Sequence, residues 1–161
     1  SKRPFWNGSC SLMDAKTVAG LAFPIGVPVE TDADWAKISG DDAEKDFLIL
    51  VEVYAEWCGP TTAITSTFKR ILQEYLGRKI KIFRVNCDAM RGHPGFDILE
   101  KFHGLTKPHF LVYKNGEALE IIEGVNTPAL VKAVVDLIPD GLIEEPEDEP
   151  EADANADNYD E

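Results

Sequence analysis

Cysteine is scarce in this chain: Cys10, Cys58 and Cys87 are the only three in 161 residues. Three cysteines at irregular spacing exclude a disulfide-stapled secreted scaffold and match no zinc-ligand pattern, so a reducing compartment is expected. Long apolar runs are missing as well. No stretch approaches the ~20 residues that a bilayer-spanning helix needs, and residues 1–24 lack the continuous apolar segment of a signal peptide. A soluble, cytoplasmic chain with no membrane partner is therefore expected. Clustered positive charge is also absent. Lys and Arg number 16 against 29 Asp and Glu, for a net charge of −13, and without a basic stripe no nucleic-acid binding is expected. The deficit is uneven. Residues 144–161 hold ten acidic side chains and no Lys or Arg, which accounts for −10 and leaves −3 for residues 1–143. Such a self-repelling segment, with almost no apolar surface to bury, is expected to be a disordered tail dispensable for folding.

What remains has the makings of one domain, since 44% of the residues are hydrophobic, enough for a real core at this length. The expected division is an N-terminal arm over 1–24, with room for a short helix near Ser11 to Leu21, a domain over 25–140 and an acidic tail over 141–161. Asp32 is a candidate N-cap for a short helix carrying Trp35 and Ile38 that Gly40-Asp41-Asp42 breaks. Phe47 to Ala55 is almost continuously apolar, as a central strand covered on both faces would be. Ile64, Phe68, Ile71, Leu72 and Tyr75 recur at helical spacing, and Gly77 stops that helix. Lys79 to Val85 predicts a strand and Gly95 to Phe102 a short helix. Phe110 to Tyr113 and Leu119 to Ile122 predict a hairpin closed at Asn115-Gly116. Pro128 to Ile138 predicts a last helix with Leu130, Val131, Val134, Val135 and Leu137 inward. The fold class that results is α/β, a central mixed sheet sandwiched between helices.

Trp57-Cys58-Gly59-Pro60-Thr61 is the segment richest in chemistry. A Cys-x-x-Cys turn exchanges disulfides in two steps, one thiolate attacking and the other expelling it from the mixed disulfide. Here Thr61 occupies the second position. The turn can capture a partner but lacks the local means of release.

In Ala55-Glu56-Trp57-Cys58-Gly59-Pro60, Lys107-Pro108-His109, Lys114-Asn115-Gly116 and Gly124, the chain resembles the thioredoxin family over roughly residues 26–139. A narrower resemblance lies in Ile98 to His103, Pro108 to Gly116 and Gly124 to Leu130. The last is similar to the Gly-Ala-Asn-Ala-Pro stretch of thioredoxin-type light chains of ciliary outer-arm dynein, and of axonemal thioredoxin modules fused to nucleoside diphosphate kinase domains. The resemblance implies a thioredoxin-like fold and a place in the axoneme of a cilium or flagellum. It also implies a partner such as a dynein heavy chain or another axonemal protein. The alternative it leaves open is a soluble thiol-disulfide oxidoreductase working by a monothiol route, although Thr61 makes efficient dithiol reduction unexpected.

The same resemblance assigns site roles. Cys58 is the nucleophile, placed just before a helix N-terminus that favours its thiolate, with Pro60 in the first helical turn and the Thr61 hydroxyl within reach of the sulfur. Pro108 corresponds to the family's cis-proline, with Lys107 beside Cys58, and Trp57, Gly59, Pro60, Thr61, Lys107 and Pro108 form a binding edge. Glu52 stands where the family carries a buried acid, whose pKa burial raises unless Arg84, aligned with the family's internal Lys, pairs with it, so Glu52→Leu is expected to be tolerated or stabilising. Asp88 matches an acid that holds the active-site indole, here Trp57. Cys87 is either a second thiol for Cys58 or a small buried hydrophobe. His93, His103 and His109 have neither ligand spacing nor a companion carboxylate cluster and are expected to be non-catalytic. No metal and no cofactor are expected.

Overall fold

The structure is a computed structural model that describes residue 20 and residues 23–143. Most of the N-terminal arm, with the span near Ser11 to Leu21 where a short helix is expected, and most of the acidic tail lie outside the described residues.

The apolar run forms the strand β2 (Leu48–Tyr54), which is buried at every position but the last. Burial on both faces follows from its neighbours. It runs parallel to β3 (Ile80–Asn86) and antiparallel to β4 (His109–Lys114). β5 (Glu117–Glu123) closes a hairpin with β4, and a short strand β1 (Val27–Val29) pairs in parallel with β3. The sheet order is β1-β3-β2-β4-β5. The edge strand β1 was not expected from the sequence, because three residues are too few to show a period.

Among the described residues, four α-helices cover the sheet: α1 (Asp32–Ala36), α2 (Thr65–Glu74), α3 (Asp97–Glu100) and α4 (Thr127–Leu137). On one face, Trp35 of α1 and Ile38 just after it, with Phe96, Leu99 and Phe102 around α3, pack on Val51, Val53, Val85 and Leu111. On the other, Ile64, Phe68 and Ile71 of the α2 segment and Leu130, Ala133 and Val134 of α4 pack on Leu50, Ile82, Phe110 and Val112. This is the mixed sheet between helices that the alternation of patterns predicts.

Local details differ from expectation for identifiable reasons. Thr31, not Asp32, caps α1, because its hydroxyl accepts the Asp34 N–H while the Asp34 carboxylate takes the Thr31 N–H in a capping box. In α4, Ala133 joins the buried stripe while Val135 is 57% exposed, so hydrophobicity alone misassigned that face. The hairpin closes at Asn115 and Gly116, with φ of 52° and 87°, the left-handed pair that a two-residue turn with the sheet's twist requires.

Candidate functional site

The Cys58 turn sits at the carboxyl end of β2, where the chain leaves the sheet for α2. Ala55 C=O organises it, accepting the N–H of Cys58 at 3.2 Å and of Gly59 at 3.0 Å. The Cys58 thiol donates to the same carbonyl at 3.3 Å, so the sulfur is not bonded to the Thr61 hydroxyl as expected. Gly59 has φ of 64° with open space where a Cβ would lie, and the turn lifts Trp57 into solvent at 70% exposure.

Helix does not begin at Pro60. Thr61 is extended (φ −81°, ψ 130°), a 3₁₀ turn follows over Thr62–Ile64, and α2 starts only at Thr65. Glu52 Oε1 accepts the Thr61 N–H at 2.7 Å at this N-terminus, where the first N–H groups have no partner within the helix. The helix terminus therefore lies farther along the chain from Cys58 than expected.

Glu52 is 2% exposed. Opposite it in the β2–β3 register is Arg84, but no ion pair closes between them. Arg84 Nε and Nη1 are buried without a hydrogen-bond partner, and the guanidinium borders a cleft of about 400 Å³ shared with Glu30, Tyr54 and Asn86. Burial pushes the Glu52 pKa up, against the smaller lowering effects of the Thr61 bond and the Arg84 charge. The expectation that Leu is tolerated here changes accordingly. Glu52→Leu removes the acceptor of the half-buried Thr61 N–H and should cost about 1 kcal/mol, whereas Glu52→Gln keeps an acceptor. A carboxyl whose folded pKa exceeds its ordinary value of 4.5 binds an extra proton on folding, so its contribution to stability falls as pH rises through that window. Glu52→Gln should accordingly gain stability relative to the unmodified chain as pH climbs above about 4.5. Urea unfolding of both proteins across pH tests this; parallel pH profiles would remove the case for a raised pKa.

Asp88 does not hold the Trp57 indole. Its Oδ2 accepts the Glu56 N–H at 2.9 Å and its Oδ1 meets His103 Nδ1 at 3.1 Å. The Glu56 bond first, then His103, hold its carboxyl below the usual range. So Asp88 braces the backbone just before Trp57 and leaves the indole free. His103 thus has the companion carboxylate that sequence spacing did not reveal, because residue 88 lies in the turn after β3 and residue 103 follows α3. His109 lies in β4, its ring 4.7 Å from that of Phe102, and His93 faces Asp32 at 3.3 Å.

Lys107 and Pro108 lead into β4. The peptide bond between them is trans, since the one cis bond among the described residues joins Phe23 to Pro24; trans is the lower-energy isomer even before proline. Pro108 C=O accepts the Gly124 N–H at 2.8 Å, and the Lys107 ammonium is held by Glu123 Oε1 at 3.0 Å. That ion pair spends the charge that was expected beside Cys58. Cys87 is 2% exposed in the core, and burial, with Asp88 and Cys58 adding to it, pushes its thiol up to about 11.

A five-stranded mixed sheet between helices, with a Trp-Cys-Gly-Pro turn at the end of its central strand, defines a thioredoxin-fold protein. The thioredoxin family model matches residues 27–136, and the chain belongs to that family. Among curated relatives it is similar to the 16 kDa light chain of the flagellar outer arm dynein of Chlamydomonas reinhardtii, at 34% identity over 122 residues, 75% of this chain and 73% of that one. The 14 kDa light chain of the same arm and organism is 37% identical over 90 residues, 56% of this chain and 65% of that one. Among solved structures, thioredoxin from Trypanosoma brucei brucei superposes with a TM-score of 0.51 at 24% identity, covering 71% of this chain and 92% of that one. That last likeness bears on the fold.

Proposed function

We propose that this chain is a monothiol light chain of a ciliary or flagellar outer dynein arm. In this reading a heavy-chain segment holds it at the edge formed by Trp57, Gly59, Pro60, Thr61, Lys107 and Pro108. The observation that carries the reading is the combination at one turn of a Trp57 ring presented to solvent and a Cys58 whose resolving position is Thr61. Such a turn retains the contact half of thioredoxin chemistry and lacks the release half. The similarity to two outer-arm light chains supplies the partner class. An exposed β5 edge bearing Leu119 and Ile121 offers further surface on the same sheet.

Binding without a covalent bond gives distinct expectations for two substitutions. Cys58→Ser should leave assembly intact, while Trp57→Ala removes a large aromatic anchor and should weaken it by about 2 kcal/mol, roughly 30-fold. Sedimentation of salt-extracted axonemes decides the matter. If the chain runs as a free monomer under conditions that keep the motor whole, the light-chain reading fails. The accessible Cys58 thiol then favours the monothiol oxidoreductase, which an insulin reduction assay would detect.

A further inference from the structure

Three side chains of the kinds that bind zinc meet beneath the Cys58 turn. Cys87 Sγ, a carboxylate oxygen of Asp88 and a ring nitrogen of His103 lie within 4.8 Å of one another. Cys87 is a free thiol, 2% exposed. The His103 side chain is 11% exposed; its Nδ1 lies 3.1 Å from Asp88 Oδ1, and its Nε2 faces Glu100 Oε2 at 3.8 Å. That Nε2 is buried and has no hydrogen-bond partner. Neither the redox turn nor the proposed docking edge uses this cluster.

From this cluster we infer a site for one Zn²⁺, bound by the Cys87 thiolate, one Asp88 oxygen and His103 Nδ1. The ligand types suit zinc, and the fourth tetrahedral position is left for water or a ligand from a partner. The spacing suits it too. Two ligand atoms each ~2.0 Å from a tetrahedral zinc stand about 3.3 Å apart, close to the 3.1 Å between Nδ1 and Oδ1. A thiolate at ~2.3 Å from the metal stands about 3.6 Å from the other two, so Sγ needs to close about an ångström at most from the 4.8 Å bound.

With Nδ1 on zinc, His103 carries its proton on Nε2, which faces Glu100 Oε2 at 3.8 Å; closing that gap by less than an ångström would complete the carboxylate–histidine–metal arrangement that orients zinc-bound imidazoles. The balance is simple: the Sγ–H bond gives way to Sγ–Zn, the proton goes to solvent, and thiolate plus carboxylate neutralise the divalent ion. Because Asp88 Oδ2 holds the Glu56 N–H, an occupied site would brace the turn that presents Trp57 and Cys58.

The test uses the full chain, reduced and metal-free. Titration with Co²⁺ should give a thiolate-to-cobalt charge-transfer band saturating at one ion per chain, and Zn²⁺ should displace it stoichiometrically. Cys10→Ser and Cys58→Ser should keep the band. Cys87→Ser should abolish it, His103→Ala should weaken zinc at least 100-fold, and Glu100→Gln should weaken it about tenfold, as loss of an outer partner does. If Cys87→Ser fails to fold, protection of Cys87 from alkylation by zinc in the unmodified chain replaces it. A band that survives Cys87→Ser, alkylation of Cys87 unchanged by zinc, or less than one zinc per chain at micromolar concentration each overturns the site.

Discussion

Thr61→Cys should raise the rate of disulfide reduction by at least about 100-fold, measured as insulin precipitation with dithiothreitol as the reductant. In the unmodified chain a mixed disulfide on Cys58 waits for an external thiol, because the second position offers only a hydroxyl. A thiol built into the turn makes that step intramolecular, and even a small part of the effective molarity open to well-placed groups exceeds millimolar reductant by that factor. Glu52 strengthens the expectation. Its carboxylate already reaches the Thr61 N–H at 2.7 Å, and burial raises its pKa, so it is placed to take a proton from a thiol at that position. Equal rates for the two proteins would show that another cysteine already resolves Cys58. Adding Cys87→Ser and Cys10→Ser singly would then identify it.

Gly116→Ala should destabilise the domain by about 3 kcal/mol, a drop of roughly 10–15 °C in Tm. Two costs combine. Gly116 has φ of 87°, and a Cβ there would lie 2.1 Å from the backbone oxygen of Gly40, whose own N–H donates to Gly116 C=O at 3.1 Å. Backbone cannot swing aside as a side chain can, so the hairpin turn and the segment after α1 must part. Gly104 separates the terms: its φ is 74° but its Cβ position is open. Gly104→Ala should cost only about 1 kcal/mol, the strain of the left-handed conformation alone. Similar losses at both positions in thermal unfolding would mean that the Gly40 contact contributes nothing.

Where periodicity was strong, element type could be read directly from composition and spacing. The run from Leu48 to Tyr54 had to be covered on both faces, since seven consecutive residues with only one polar side chain leave no wet side. Asn115-Gly116 named the hairpin, because few residue pairs adopt φ of 52° and 87° without strain. The Cys58 turn was equally plain, as its chemistry is a matter of which atoms are present. The resemblance to the thioredoxin family and to axonemal light chains rested on the same local segments, and the family match over residues 27–136 agrees with it.

Long-range partners were another matter, and each misplaced one involved a polar group choosing among several. Glu52 could have met Arg84 across the strand pair, yet its carboxylate reached the Thr61 N–H nine residues on. Asp88 could have taken the Trp57 indole, but the Glu56 N–H and His103 were nearer its two oxygens. Lys107 answered to Glu123 on the neighbouring strand. Hydrophobic period is a property of neighbours in the chain and survives as a one-dimensional signal. The pairing of charges depends on distances of an ångström or two between residues 15 or 30 positions apart, and only the packed sheet and its helices set those distances.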